Sequence, residues 1–100
     1  MKLAELARVV RSKNAGPLKL TFDIMFEDEK GYQAFVQSPT LEPARIAGLY
    51  GVAPETVEIM PYPVALAVKI VMDRKLPSGS PGDWDVYGAQ QHAPLLEAEW

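Results

Sequence analysis

The stretch Leu18-Lys19-Leu20-Thr21-Phe22-Asp23-Ile24-Met25-Phe26 decides the fold class of this chain. Large apolar side chains occupy every second position and mostly polar ones lie between them, which is the period of a β-strand with one buried face. Each such side chain contributes about 1.5–3 kcal/mol when it is fully buried. Five on one face predict a strand that anchors the core, and we expect a charge at Phe22 to be severely destabilising.

Helices are predicted on both sides of this strand. Residues 2–12 place apolar side chains at helical spacing, and Asn14-Ala15-Gly16-Pro17 supplies a stop signal for that helix. Asp28 is a suitable N-terminal cap for a second helix, which ends at Ser38-Pro39. Proline in the first turn and a following glycine predict a third helix from Pro43 to Tyr50.

Two further strands are predicted from Val57 to Tyr62 and from Val64 to Met72, as antiparallel neighbours. Pro61 and Pro63 favour a strand end, an edge or a bulge. Leu95-Leu96 can add a short terminal strand or docking segment. We therefore expect residues 1–100 to form one α+β domain. It would have two layers: a small, mostly antiparallel sheet of three to four strands, with three helices and a long C-terminal loop.

Composition excludes several classes of protein. One hundred residues fit a single domain with a modest core, and 48% hydrophobic with 23% charged residues is ordinary globular usage. The net charge of −3, without a basic stripe, argues against nucleic-acid binding. The chain has no cysteine, which excludes disulfides and thiol chemistry and fits a reducing cytoplasm. The longest apolar run is about half of the ~20 residues that a membrane span needs.

The segment 78–94 differs from the rest of the chain, because it shows neither a helical nor a strand period. Glycine, proline, serine and aspartate supply turn chemistry there, while Trp84, Val86 and Tyr87 are too apolar for a simple linker. Loops of this length in compact domains are usually functional or disordered, and the aromatic residues favour a functional loop.

A family resemblance rests on Arg11 to Pro17, on Leu20 to Ile24 and on Pro77 to Leu96. Together these stretches resemble a bacterial family of small proteins classed as a domain of unknown function. The resemblance implies association with acyclic terpene utilisation AtuA-like proteins, and a role in carboxylic-acid or acyl-thioester catabolism. It carries no catalytic assignment. Trp84, between two aspartates, and Glu42, before Pro43, depart from the expected pattern.

Candidate catalytic residues are His92, Asp83 and Asp85. His92 is the only histidine, and an imidazole can act as a general acid or base near neutral pH. The two aspartates can supply a carboxylate pair. The alternatives are structural: a loop histidine bonded to backbone, and aspartates that close turns on their own backbone. No metal site is predicted, because Asp-x-Asp without further oxygen ligands is a weak signal.

Candidate ligand- or partner-binding residues in the loop are Ser78, Ser80, Tyr87, Gln90 and Gln91. The two serines, with the glycines around them, can present hydroxyls and backbone N–H groups to an anion. Pro81 removes one of those donors, and no following helix adds its dipole. A structural turn is therefore the alternative interpretation of this stretch.

A second polar cluster comprises Arg11, Lys13 and Asn14. At the end of a first helix, cations complement the helix dipole, and capping is the simplest explanation for them. The alternative is a site for an anionic ligand such as a carboxylate or a coenzyme phosphate. Asp23, on the less apolar face of its strand, can complete such a site.

Three functions follow from these patterns together with what the family resemblance implies. The first is an accessory small subunit whose loop 78–94 docks on a larger AtuA-like partner and helps complete its active site. The second is a stand-alone lyase or hydratase that uses His92 with Asp83 or Asp85 at a homo-oligomer interface. The third is a binding module for an acidic metabolite. No cofactor, nucleic acid or membrane is expected as a partner.

Overall fold

The computed structural model describes residues 2–14, 18–73 and 93–100 of the chain. These ranges form an α+β domain with one antiparallel sheet and one layer of helices, as predicted. The strands are β1 (Ala7–Asn14), β2 (Lys19–Phe26), β3 (Glu58–Tyr62) and β4 (Ala67–Asp73). The helices are α1 (Leu3–Leu6), α2 (Glu29–Val36), α3 (Pro43–Tyr50) and α4 (Ala93–Glu97), with short 3₁₀ turns at Pro54–Thr56 and Pro63–Ala65.

The four strands lie in the order β1-β2-β4-β3, and every neighbouring pair is antiparallel. β2 is therefore an interior strand, and its alternate side chains anchor the core, as its pattern predicts. The prediction that the two later strands are antiparallel neighbours is also confirmed. Pro61 lies in the edge strand β3 and Pro63 begins the 3₁₀ turn after it, both at positions that the missing N–H tolerates.

One face of the sheet forms the core with the helices. Phe22, Ile24 and Ile70 are fully buried there. The helices pack their own apolar residues against this face, and the ring of Phe22 lies 5.1 Å from that of Tyr50, centroid to centroid. Residues of all four helices and of strands β2 and β4 form the buried part of this single cluster. Its buried members are Leu3, Leu20, Phe22, Ile24, Phe26, Tyr32, Phe35, Ile46, Ala47, Val57, Val68, Ile70, Met72 and Leu95.

The prediction of a helix over residues 2–12 is wrong beyond its first turn. Helix α1 ends at Leu6, and residues 7–14 form strand β1, which pairs with β2 from Ala7 opposite Phe26 to Asn14 opposite Leu20. Only the first turn is helical, and there Leu3 is buried as its position in the apolar pattern indicates. Pairing with β2 satisfies the backbone of residues 7–14 in a ladder, and this tertiary contact overrides the local pattern.

Most other predicted boundaries agree with the structure within two residues, but the strand predicted from Val64 begins at Ala67, because Pro63–Ala65 form a 3₁₀ turn. The Asp28 carboxylate accepts a hydrogen bond of 2.8 Å from the Gly31 backbone N–H at the start of α2. Gly51 follows α3 with a φ of 67°, the left-handed conformation that favours glycine. Leu18 is an exception, because it precedes β2 and is 57% exposed instead of facing the core.

The C-terminal segment adds a fourth helix, not the short strand that was one expectation for Leu95-Leu96. Leu95 is fully buried, and its carbonyl accepts a 3.2 Å hydrogen bond from the Trp100 indole N–H. The Arg45 guanidinium lies 5.6 Å from the centre of the Trp100 ring. These contacts hold the segment in the helix layer. No helix in the described ranges has the length and apolarity to cross a membrane.

Candidate functional site

The second face of the sheet carries the candidate site. The apolar residues of this face are absent from the core cluster, which gathers the buried side chains of the helices on the opposite side. No helix of the described ranges therefore packs on it, and we call it the open face. Strand pairing places the following residues on it: Val9, Arg11, Lys13, Lys19, Thr21, Asp23, Met25, Glu58, Met60, Tyr62, Ala67, Lys69, Val71 and Asp73.

A row of charges crosses the open face. Arg11 lies opposite Asp23 in the β1–β2 pair, and Asp23 lies opposite Lys69 in the β2–β4 pair. Cross-strand neighbours have Cα atoms about 5 Å apart, so the two cations flank the carboxylate with their Cα atoms about 10 Å apart. We call these three residues the charged row.

No ion pair forms within the charged row. The ion pairs between described residues are Lys2–Glu97, at 3.5 Å between Nζ and Oε2, and Lys19–Asp73. The guanidinium of Arg11 and the ammonium of Lys69 thus lie more than 4 Å from the Asp23 carboxylate oxygens. Their polar atoms stay available to a group that enters between them.

A cavity of about 330 Å³ opens at this row. Its polar wall is the charged row, and its apolar wall includes Met25, Ala67 and the Tyr62 ring. Among the described residues the lining is Arg11, Asp23, Met25, Tyr62, Ala65, Ala67, Val68 and Lys69. A second cavity of about 340 Å³, on the helix side, has no charged lining residue in the described ranges: Val36, Leu41, Pro43, Ile59, Pro61 and Val68. Of these two cavities, the one on the open face is the one with charged side chains among its described lining residues.

An exposed apolar turn borders the cavity. Tyr62 is 47% exposed and Val64 is fully exposed, and we call residues 62–65 the apolar corner. Leu66 follows with a φ of 51°, a left-handed conformation that is costly for a residue with a side chain. The Leu66 carbonyl accepts a 2.9 Å hydrogen bond from the Phe26 backbone N–H, which ties the turn to β2. The apolar corner is thus exposed, while the residue that follows it is held to β2 by a backbone hydrogen bond.

Comparison with known proteins assigns the chain to a family. A model of the family described as "Domain of unknown function (DUF4387)" matches residues 3–99. The chain belongs to the DUF4387 family. The match spans every helix and strand from α1 to α4, and it includes the whole charged row. No curated protein and no solved structure matches this DUF4387 chain.

Family membership confirms part of the resemblance seen in the sequence. The family is one of unknown function, as predicted. Association with AtuA-like proteins is not tested by the match and stays a prediction. Within the described ranges of this DUF4387 chain, no group of three or more His, Cys, Asp or Glu residues is placed to hold a metal ion.

The structure divides the second polar cluster. Arg11 and Lys13 lie on the open face of β1, whereas the register places Asn14 on the core side, opposite Leu20. The helix-dipole explanation for these residues is wrong, because all three belong to a strand. Arg11 and Asp23 do come together at the cavity, while Lys13 lies opposite Thr21 and is not part of the lining.

The remaining predicted residues lie in residues 74–92, outside the described ranges. They are the catalytic candidates His92, Asp83 and Asp85, and the binding candidates Ser78, Ser80, Tyr87, Gln90 and Gln91. Of the predicted functional loop 78–94, only its last two residues are described, and they begin helix α4. The loop's role and the lyase or hydratase alternative stay predictions.

Sequence reasoning missed Lys69, Met25 and Tyr62 as members of a site. Lys69 interrupts an apolar run, and a cation inside a predicted strand is a signal for a face that is not core. Which residues it faces depends on the strand register, which the sequence does not display. Tyr62 was interpreted only as part of a proline-bounded strand end.

Proposed function

We propose that this DUF4387 chain is a small accessory subunit that docks on a larger AtuA-like protein and helps complete its active site. The observation that supports it best is the apolar corner, which stands exposed beside an open sheet face. The docking surface would be the corner with the adjoining part of the open face around Met60 and Met25. In this proposal the partner covers what the helix layer leaves uncovered.

The exposure of the apolar corner supports a protein partner. An exposed valine alone is ordinary, but Val64 lies two residues after the half-exposed Tyr62, and strands β3 and β2 carry the half-buried Met60 and Met25 on the open face. Tyrosine and methionine are enriched at protein interfaces, where each offers a large apolar contact area. Burial of the Val64 side chain alone would contribute about 1.5 kcal/mol or more to binding.

The partner is proposed to be a larger AtuA-like chain because the sequence resemblance implies that association. The open face adds a reason for a shared active site. The cavity at the charged row is open to one side, and a partner seated on the corner would supply the missing wall. A second copy of this chain is the competing occupant, and the experiment separates the two.

Co-purification tests the proposal. A tagged chain is co-expressed with an untagged AtuA-like protein of the same genome, and the complex is isolated through the tag. We expect Val64→Asp to abolish the complex, because it places a charge in the apolar contact. Ala44→Asp is the matched control: Ala44 is exposed on α3, and an acid in the first turn of a helix is well tolerated.

Three results decide the outcome. A complex that survives Ala44→Asp but not Val64→Asp, with partner activity that depends on the chain, supports the proposal. No complex and unchanged partner activity with the wild-type chain contradicts it. A homodimer of the isolated chain that Val64→Asp dissociates, measured by light scattering, would assign the corner to self-association and also contradict it.

A further inference from the structure

We infer that the cavity on the open face binds a small hydroxylated carboxylate, with the acid group between Arg11 and Lys69. The inference extends the proposed function by naming a ligand class for the shared site. It rests on the geometry of this chain alone. It is tested on the isolated chain, so either proposal can fail while the other stands.

Charge selects an anion. The charged row carries two cations and one carboxylate, a local balance of +1 in a chain whose net charge is −3. Neither cation is engaged in an ion pair among the described residues. A single carboxylate would bring the cavity to neutrality, whereas a metal cation would meet two like charges for one opposite charge.

The types of cation fit a carboxylate. The planar guanidinium of Arg11 can donate two parallel hydrogen bonds to the two carboxylate oxygens, and the Lys69 ammonium can add a third donor from the opposite side. With their Cα atoms about 10 Å apart on strands β1 and β4, both long side chains can reach a group centred above β2.

Asp23 sets a further requirement. It lies between the two cations, and its carboxylate only accepts hydrogen bonds when it is ionised. A plain acid would leave its own oxygens facing those of Asp23. A ligand with a hydroxyl near its acid group offers Asp23 a donor instead. The row therefore favours a hydroxy acid over the corresponding simple acid.

The other wall accommodates a hydrocarbon chain. Met25 and Ala67 are half-buried and carry no charge, and the Tyr62 ring borders them with nearly half of its surface exposed. A cavity of about 330 Å³ is at the small end of ligand pockets, which span about 300–1,000 Å³. The fitting ligand is a short-chain acid, not a nucleotide-sized cofactor.

Titration of the isolated, isotope-labelled chain by NMR tests the inference, with hexanoate, 3-hydroxyhexanoate and hexan-1-ol as probes. We expect saturable shifts at β1, β2 and β4 with 3-hydroxyhexanoate binding most tightly, hexanoate more weakly and hexan-1-ol most weakly. Arg11→Met and Lys69→Met should each weaken 3-hydroxyhexanoate binding by about tenfold or more. Asp23→Ala should remove the preference for the hydroxy acid, because no side-chain acceptor remains there for the ligand hydroxyl.

Lys13→Met is the matched control, because Lys13 is an exposed cation on the same face of β1 and is not part of the cavity lining. It should leave all three affinities unchanged. Equal weakening by Lys13→Met and Arg11→Met would show nonspecific surface charge and overturn the inference. So would hexan-1-ol binding as tightly as hexanoate, or an absence of saturable shifts with the wild-type chain. Amide spectra of each variant verify that it is folded.

Discussion

The two faces of the sheet are formed by the same strands but differ in role: one face forms the core with the helices, and the other carries the candidate site. On the helix-covered face Phe22 is fully buried, while its neighbour Asp23 lies half-exposed on the open face beside two cations. Because successive strand residues point to opposite sides, a single step along the chain moves from the core to the candidate site. Residues that stabilise the fold and residues of the candidate site are thus interleaved along the chain but lie on opposite faces of the sheet.

The separation of the two faces lets a small chain hold both a core and a candidate site. All four helices contribute to one apolar cluster on one side of the sheet, and no helix of the described ranges packs on the other side, where Thr21 is nevertheless buried. Side chains on the open face can change without opening cavities in the core. Substitutions on the two faces should therefore differ in what they impair, and three measurements test that division.

The largest expected effect compares Phe22→Ala with Asp23→Ala. Truncation of a fully buried phenylalanine costs about 3–5 kcal/mol, from lost burial and from the cavity that remains. Asp23→Ala should change the free energy of unfolding by less than about 0.5 kcal/mol, since Asp23 lies at the open surface without an ion pair in the described ranges. Urea denaturation measures both. Comparable losses for the two variants would refute the division.

An intermediate effect compares two aspartates. Asp28→Ala removes the N-terminal cap of α2 in the helix layer and should cost about 1 kcal/mol. Asp73→Ala removes the exposed pair with Lys19 on the open face and should cost between 0 and about 1 kcal/mol. High salt distinguishes the two stability losses. Screening weakens the exposed ion pair of Asp73, whereas the Asp28 cap is a local hydrogen bond. A loss at Asp73 that persists in high salt would contradict this prediction.

A third effect concerns the pH dependence of stability. Burial raises the pKa of the Tyr50 phenol above its ordinary value, and its hydrogen bond with the Leu95 backbone lowers it to a lesser extent. The folded chain therefore keeps this proton at a pH where the unfolded chain loses it. The stability from this group is complete below the unfolded pKa of about 10 and is lost as the pH rises toward the folded value.

Replacement of Tyr50 by phenylalanine should thus flatten the alkaline fall in the free energy of unfolding. At neutral pH the variant should lose about 0.5–1.5 kcal/mol, because the hydrogen bond with the Leu95 backbone is gone. Denaturation at a series of pH values above about 9 measures the slope. Parallel curves for the variant and the wild type would show that the helix-covered face does not shield this group from water.

Local pattern predicted much of the fold. Strand β2 follows from strict alternation, α2 from its Asp28 cap and α3 from proline at its start and Gly51 at its end. Each of these signals lies within the element that it specifies, so a single sequence suffices to find it. The apolar, proline-bounded strands β3 and β4 were found for the same reason.

The prediction of a helix over residues 2–12 was wrong beyond its first turn, because this stretch fits both a helical and a strand pattern. Leu3, Leu6, Ala7 and Val10 share a helical face, but Val9-Val10 is β-branched and Ala15-Gly16-Pro17 precedes a strong strand, which are also the signs of a hairpin. Pairing with β2 decided between them. The candidate site was predicted only in part. Arg11 and Asp23 are recognisable in the sequence as polar residues, but the position of Lys69 opposite Asp23 depends on the register between strands.

The edges of the sheet have a consequence for solubility. Pro61 removes a backbone donor from β3, and the pairing of β1 with β2 slips between Ala7 and Val9, which bends that strand away from a regular edge. Unpaired strand edges are templates on which further chains add and fibres grow. Both edges of the described sheet are irregular, which disfavours the addition of a strand from a second chain.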